Sequence, residues 1–292
     1  MPEPYLLFAL AASVLHAFSS VYSKRLHGHG QTPLKVAFYS LFGCAAVSLL
    51  AAPWVPPPDL SRAPGLVLIM GAAVAAGHMC FISAVQAGDA SFVVPMLGLK
   101  VFFVAVISAL LIGEVYGPLV CLGGVGAVVG MFLLGDGRLR ATARPLALVL
   151  AATLLFGLTD VLLIFLFRAG YTPVEVMVYM FVLSALILLP AAVVLLRGNY
   201  RMPWPFARSL VTFATFQLLG GVCLMTAFAL SQQPTMVNIV QSARGLFAVL
   251  LVYGLGRAGL GGLERLSRHQ YRRRIAGALL MTGSVALAVL AR

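Results

Sequence analysis

The chain has 292 residues, of which 61% are hydrophobic and 10% charged, with a mean hydropathy of +1.02 and a formal charge of +12. That composition excludes a soluble globular chain. The positive surplus fits basic loops facing anionic headgroups, so membrane lipids rather than nucleic acid are the expected partner of the charge.

A membrane span needs about 20 mostly apolar residues. Ten stretches meet that need: 4–23, 34–52, 65–86, 92–112, 118–134, 145–167, 173–196, 208–230, 236–255 and 275–290. The first begins Met1-Pro2-Glu3-Pro4 without a basic lead-in, so it reads as a span and not a cleaved leader. It carries His16, and a basic gap with Lys24, Arg25 and Lys35 follows. The second carries Tyr39 and ends near Trp54, where an interfacial aromatic belongs. The third carries His78 and Gln86, and the fourth Lys100. The fifth contains Gly126-Ala127-Val128-Val129-Gly130, a spacing that lets two backbones approach closely, by internal packing or at a dimer face. A second basic gap holds Arg138, Arg140 and Arg144 before the sixth span, which carries Asp160.

The seventh span opens on Thr172-Pro173, with Glu175 placed to favour its N-terminus, and carries Tyr179. A third basic gap holds Arg197, Arg201 and Arg208, and Trp204 marks that end. The eighth span carries Gln217. The ninth, preceded by Gln232 and Gln233, carries Asn238, Gln241 and Arg244. A last basic gap runs from Arg257 to the cluster Arg272-Arg273-Arg274, which is expected to anchor the tenth span at a leaflet. Fifteen of the 20 Lys and Arg residues thus fall in alternate gaps, leaving Arg62, Arg168 and Arg292 on the other side. By the positive-inside bias this places both termini outside.

The chain repeats itself. At an offset of 140, Ala11-Ala12 matches Ala151-Ala152, Thr32-Pro33 matches Thr172-Pro173, and Tyr39 matches Tyr179. At 145, Ala84 matches Ala229 and Phe102 matches Phe247. Two halves of five spans each must enter the membrane in opposite senses, an architecture that recurs in secondary transporters. The expected fold class is therefore all-α integral membrane, with ten transmembrane helices as two inverted five-helix repeats, residues 1–140 and 141–292.

The run Ala84-Val85-Gln86-Ala87-Gly88-Asp89-Ala90-Ser91, then Val94-Pro95, then Leu110-Leu111-Ile112-Gly113-Glu114, resembles the core signature of the drug/metabolite transporter superfamily, EamA type. Gln241 through Leu250 is similar to the matching segment of a second copy, although Gly254-Leu255-Gly256-Arg257 lacks the Gly-Glu that should follow. The resemblance implies ten helices, alternating access, and a central cavity lined by spans one, three, four, six, eight and nine. It also implies cytoplasmic termini, against the charge bias, so the orientation stays open.

Charged side chains inside hydrocarbon are expensive and normally face a partner or a wet cavity. Lys100 and Arg244 occupy nearly equivalent places in the two halves, which brings two positive charges toward one chamber. Asp160 is the obvious anion for a structural pair, yet one carboxylate cannot compensate two cations, and an anionic substrate would supply the rest. The expected substrate contacts are Lys100, Arg244, His78, Gln241 and Asn238. Asp160 and His16 are candidate coupling or cavity residues, each with a plain structural alternative: a salt bridge, or an imidazole satisfied by a carbonyl.

The cysteines Cys44, Cys80, Cys121 and Cys223 form no Cys-x-x-Cys pair, and neither a metal site nor a disulfide framework is expected. No nucleotide-binding loop and no catalytic pattern stand out, so neither a cofactor nor an enzyme is expected. The reading is a secondary active transporter of a small organic metabolite, anionic through carboxylate or phosphate, in the cell membrane. A flippase for a lipid with an anionic head is the alternative, and monomer or homodimer is left open.

Overall fold

The computed structural model describes residues 4–27, 30–56, 62–88, 90–113, 118–134, 139–257 and 267–290. Among these residues there are helices and turns but no strand. Hydrocarbon offers no water to exposed backbone groups, so a segment that satisfies its own N–H and C=O groups is the solution available to an apolar run.

The helices are α1 (Pro4–His27), α2 (Pro33–Ser48, continued by a 3-10 segment Leu49–Trp54), α3 (Pro64–Ala87), α4 (Ala90–Met96, continued by a 3-10 turn Leu97–Leu99), α5 (Lys100–Ile112), α6 (Pro118–Leu134), α7 (Leu139–Arg168), α8 (Pro173–Leu196), α9 (Trp204–Ser231), α10 (Pro234–Ser242), α11 (Arg244–Arg257) and α12 (Arg268–Leu290). Eight segments among the described residues are long and apolar enough to cross a membrane, and α4 with α5 and α10 with α11 each count as one. The chain is a multi-pass membrane protein. Its outer surface is an apolar coat in which Leu50, Leu110 and Val194 are each more than two-thirds exposed.

Helix starts follow local rules. Pro33 and Pro173 stand at first-turn positions, where a missing N–H is no loss. Thr32 and Thr172 cap the same two helices, accepting from the backbone N–H of Lys35 and Glu175 at 3.3 Å each. Glu175 completes a capping box on Thr172, whereas the Lys35 ammonium donates to the Arg201 carbonyl at 2.8 Å and to Asn199 Oδ1 at 3.2 Å. Tyr39 donates to the Tyr200 carbonyl at 2.8 Å and Tyr179 to the Pro56 carbonyl at 2.9 Å. Both tyrosines tie down connections at span ends and stay away from the centre.

Between helices, α1 packs on α9, α7 on α3, α2 on α8, and α6 on α12. Small residues allow the closest approaches. Gly126 lies against Ser284, and a Cβ on Gly130 would stand 2.9 Å from the Gly277 carbonyl, so this Gly-x-x-x-Gly pair serves packing within the chain.

Three features depart from the sequence expectation. The fourth span is not one helix: Pro95, which lacks a backbone donor, precedes the 3-10 turn at Leu97–Leu99, and the helix restarts at Lys100. The ninth is also broken, with a turn at Ala243 between α10 and α11. The two breaks cross. A Cβ on Gly245 would sit 2.6 Å from the Pro95 Cα, and one on Gly98 would sit 3.6 Å from the Ser242 Cβ. Third, the cluster before the tenth span is itself helical. Arg272 is exposed there but Arg274 is buried, so only part of the cluster can anchor at a headgroup layer.

Two apolar clusters form the core, and a polar layer separates them along several helices. On α1, Ala9 belongs to one and Ala17 to the other, with Ser13 and His16 between. On α3, Val74 and Phe81 flank His78; on α7, Ala152 and Leu162 flank Thr159 and Asp160.

Because the Pro95 contact is made by backbone, it cannot yield as a side chain would. Gly245→Ala should lower stability by about 1–3 kcal/mol, seen as a reduced melting temperature in detergent. Gly254→Ala, which meets nothing within 4 Å, should leave it unchanged or slightly raised.

Candidate functional site

The polar layer encloses a cavity of about 110 Å³. Its wall takes His16 from α1, His78 from α3, Lys100 from α5, Phe156, Thr159 and Asp160 from α7, Gln217 from α9, Gln241 from α10 and Arg244 from α11. These are the first, third, fourth, sixth, eighth and ninth sequence spans. Leu41 and Cys44 of α2 and Met180 and Phe181 of α8 close the remainder.

The breaks deliver the charges. Lys100 is the first residue of α5 and Arg244 the first of α11, so both helix starts meet at the cavity wall. Lys100 Nζ lies 2.7 Å from Asp160 Oδ2 and donates to Gln241 Oε1 at 3.1 Å. Both ion-pair side chains are almost fully buried, at 7% and 6% exposure. Gln241 Nε2 lies 3.0 Å from His16 Nδ1. An amide NH₂ is only a donor, so His16 Nδ1 accepts, and the imidazole proton is assigned to Nε2. That Nε2 is buried and has no hydrogen-bond partner. Room for the ring comes from Gly220, where a Cβ would stand 2.5 Å from the imidazole Cδ2.

Arg244 is half-buried at the same wall, and no hydrogen bond or ion pair joins it to another described residue. The cavity therefore holds two cations and one carboxylate, and that carboxylate is already committed to Lys100. An unsatisfied buried donor is costly, more so when charged. The arrangement can receive an acceptor-rich, negatively charged group: a planar guanidinium for a fork, a point-charge ammonium nearby, and an imidazole N–H.

Of the sequence candidates, Lys100, Arg244, Asp160, Gln241, His16 and His78 are brought to this one wall. His78 is also held at 2.6 Å from Ser40 Oγ, with its ring tilted against Phe213. Asn238 is not on it: its amide donates to the Pro234 carbonyl of its own helix at 2.8 Å. Gln86, Gln232 and Gln233 also lie off the cavity, whereas Gln217 lines it and receives Ser19 Oγ at 2.9 Å. Thr159 and Phe156 were not singled out from sequence. A threonine beside Asp160 and a phenylalanine one turn before it are the only signal they carry. Among the described residues, no three His, Cys, Asp or Glu side chains converge as a metal would need.

Comparison with known proteins adds three findings. No curated protein matches the sequence. A solved crystal structure matches over 100% of this chain and 99% of its own at a TM-score of 0.67 and 16% identity, a likeness of fold alone. Residues 3–135 match the profile of the EamA-like transporter family, a stretch that contains His16, His78 and Lys100. That stretch is thus similar to the EamA-like transporter family, consistent with the drug/metabolite transporter superfamily.

Proposed function

We propose that the protein is a secondary active transporter of the cell membrane that moves a small organic anion, bearing carboxylate or phosphate, by alternating access. It does so with ten spans arranged as two inverted repeats, residues 1–140 and 141–292. The observation that carries the reading is Arg244, a cation in the cavity wall with no hydrogen bond or ion pair to another described residue, beside a Lys100–Asp160 pair at 2.7 Å. With His16 neutral, the chamber holds one net positive charge, so a single negative charge balances it best.

The packing supports the repeat. The first span of the first half meets the third of the second in α1 with α9. The first of the second half meets the third of the first in α7 with α3. The second spans meet each other in α2 with α8, and the fifth spans in α6 with α12. Such reciprocity follows from a two-fold relation, and five spans per half make that relation an inversion. Equivalent threonine caps at Thr32 and Thr172, and the tyrosines that each hold a connection of the opposite half, fit the same relation. In the absence of a nucleotide-binding motif, the energy would come from an ion gradient or solute exchange. The solute would bind between the halves and shift which gate is favoured. The chamber's small volume favours a water-soluble metabolite over a two-tailed lipid.

A thermal-shift series with the purified protein and a panel of carboxylates and sugar phosphates tests this reading. Arg244→Ala should remove the anion-dependent rise while leaving the unliganded melting temperature nearly unchanged, because the guanidinium makes no hydrogen bond or close ion pair with a described residue. Stabilisation by cations alone would refute the anion assignment.

Asp160→Asn should behave differently. Leaving Lys100 buried and unpaired is expected to cost about 3–5 kcal/mol, read as a large fall in unliganded melting temperature. Combining it with Lys100→Met should recover much of that fall.

In liposomes, uptake of a stabilising metabolite should be saturable and lost in Lys100→Ala. Movement of a labelled anionic lipid by the same vesicles, with no metabolite uptake, would favour the flippase instead.

A further inference from the structure

A second cavity, of about 560 Å³, opens away from the charged one. Its back is one stripe of α8, Val178, Val182 and Leu186, and Leu49 and Leu68 stand opposite. Leu49, Leu68 and Leu186 are each about half exposed (49%, 55% and 56%), so the mouth faces outward from the bundle among residues that coat a membrane-embedded surface. The stripe runs along the helix for eight residues, about 12 Å at 1.5 Å per residue, against a half-thickness of roughly 15 Å for the hydrocarbon. The groove is thus a shaft within one leaflet, narrow and apolar.

One end of the shaft is polar. Tyr171, which is 6% exposed, lines it, and the Arg62 guanidinium lies 6.0 Å from that ring's centroid and donates to the Gly170 carbonyl at 3.5 Å. Arg62 is exposed, and Trp54, 81% exposed, ends the 3-10 segment two residues before Pro56, which lines the groove. Tyrosine, tryptophan and arginine together mark a headgroup level. The Tyr179 hydroxyl is turned to the Pro56 carbonyl and so places no open polar group in the shaft.

We infer that this groove seats one acyl chain of an acidic glycerophospholipid whose phosphate-bearing head rests on Arg62. A cation beside the polar end of an apolar groove, at headgroup depth, matches a lipid with negative charge at one end and hydrocarbon at the other. The seat is independent of the central chamber and holds whatever solute that chamber takes.

Native mass spectrometry of the full chain in detergent, titrated with phosphatidylglycerol and separately with phosphatidylcholine of the same acyl chains, tests it. Monomer adducts with phosphatidylglycerol should exceed those with phosphatidylcholine about fivefold, the effect of roughly one basic residue at a membrane surface. Arg62→Gln should bring the two lipids level. Val182→Trp, which fills the shaft, should reduce both. Leu186→Trp at the mouth should do the same and stands in if the first variant does not fold. The assignment falls if both tryptophan variants bind phosphatidylglycerol like the unaltered protein, or if that protein does not distinguish the two lipids. It also falls if filling the groove abolishes a dimer while leaving lipid adducts intact, since the occupant would then be a second copy of the chain.

Discussion

Charge placed in hydrocarbon is the constraint on which the rest of this structure depends. Lys100 and Asp160 are both nearly inaccessible, and at 2.7 Å they neutralise each other, with Gln241 and then His16 continuing the polar chain. A pair of that kind is weak evidence for stability, since desolvation offsets much of the Coulomb gain. Its meaning lies in what it leaves over. Arg244 shares the wall without a close ion pair to a described residue, and the buried His16 Nε2 makes no hydrogen bond.

The backbone meets this demand by breaking two helices at one level. Had α4 run on into α5, Lys100 would be one residue on a helix face; the 3-10 turn after Pro95 makes it a helix start instead. Ala243 does the same for Arg244. Interrupted helices are tolerated in membranes where they are buried in protein or line a cavity, and here both conditions hold. The apolar clusters above and below leave the polar layer confined to the height of the breaks.

Much of the helix plan was legible in the sequence because hydrocarbon imposes long apolar runs, and the 173–196 stretch coincides with α8 to the residue. Lys100, Arg244 and Asp160 stood out for the same reason, as charges against an apolar background. Breaks are harder to read. Pro95 was visible, but Ala243 has no unusual chemistry, and its turn lies two residues before Gly245, which meets Pro95 from a distant part of the chain. Asn238 shows the limit for polar residues: one turn before Ser242 on a cavity-bearing helix, it uses its amide on the Pro234 carbonyl, a choice between a local and a distant partner that composition does not encode. Tyr39 and Tyr179 were legible as a pair 140 positions apart, but not that each would donate to the carbonyl of a distant connection.

The crossing of Gly245 and Pro95 has a mechanical consequence. Backbone in contact with backbone is incompressible, so the two chains can turn about the point but not slide closer. It is a fulcrum. A rotation of about 10° there carries a residue ten positions along α11, some 15 Å away, through roughly 2.6 Å, while Arg244 next to the pivot scarcely shifts. Helix ends can swing widely while the charges at the hub hold nearly still.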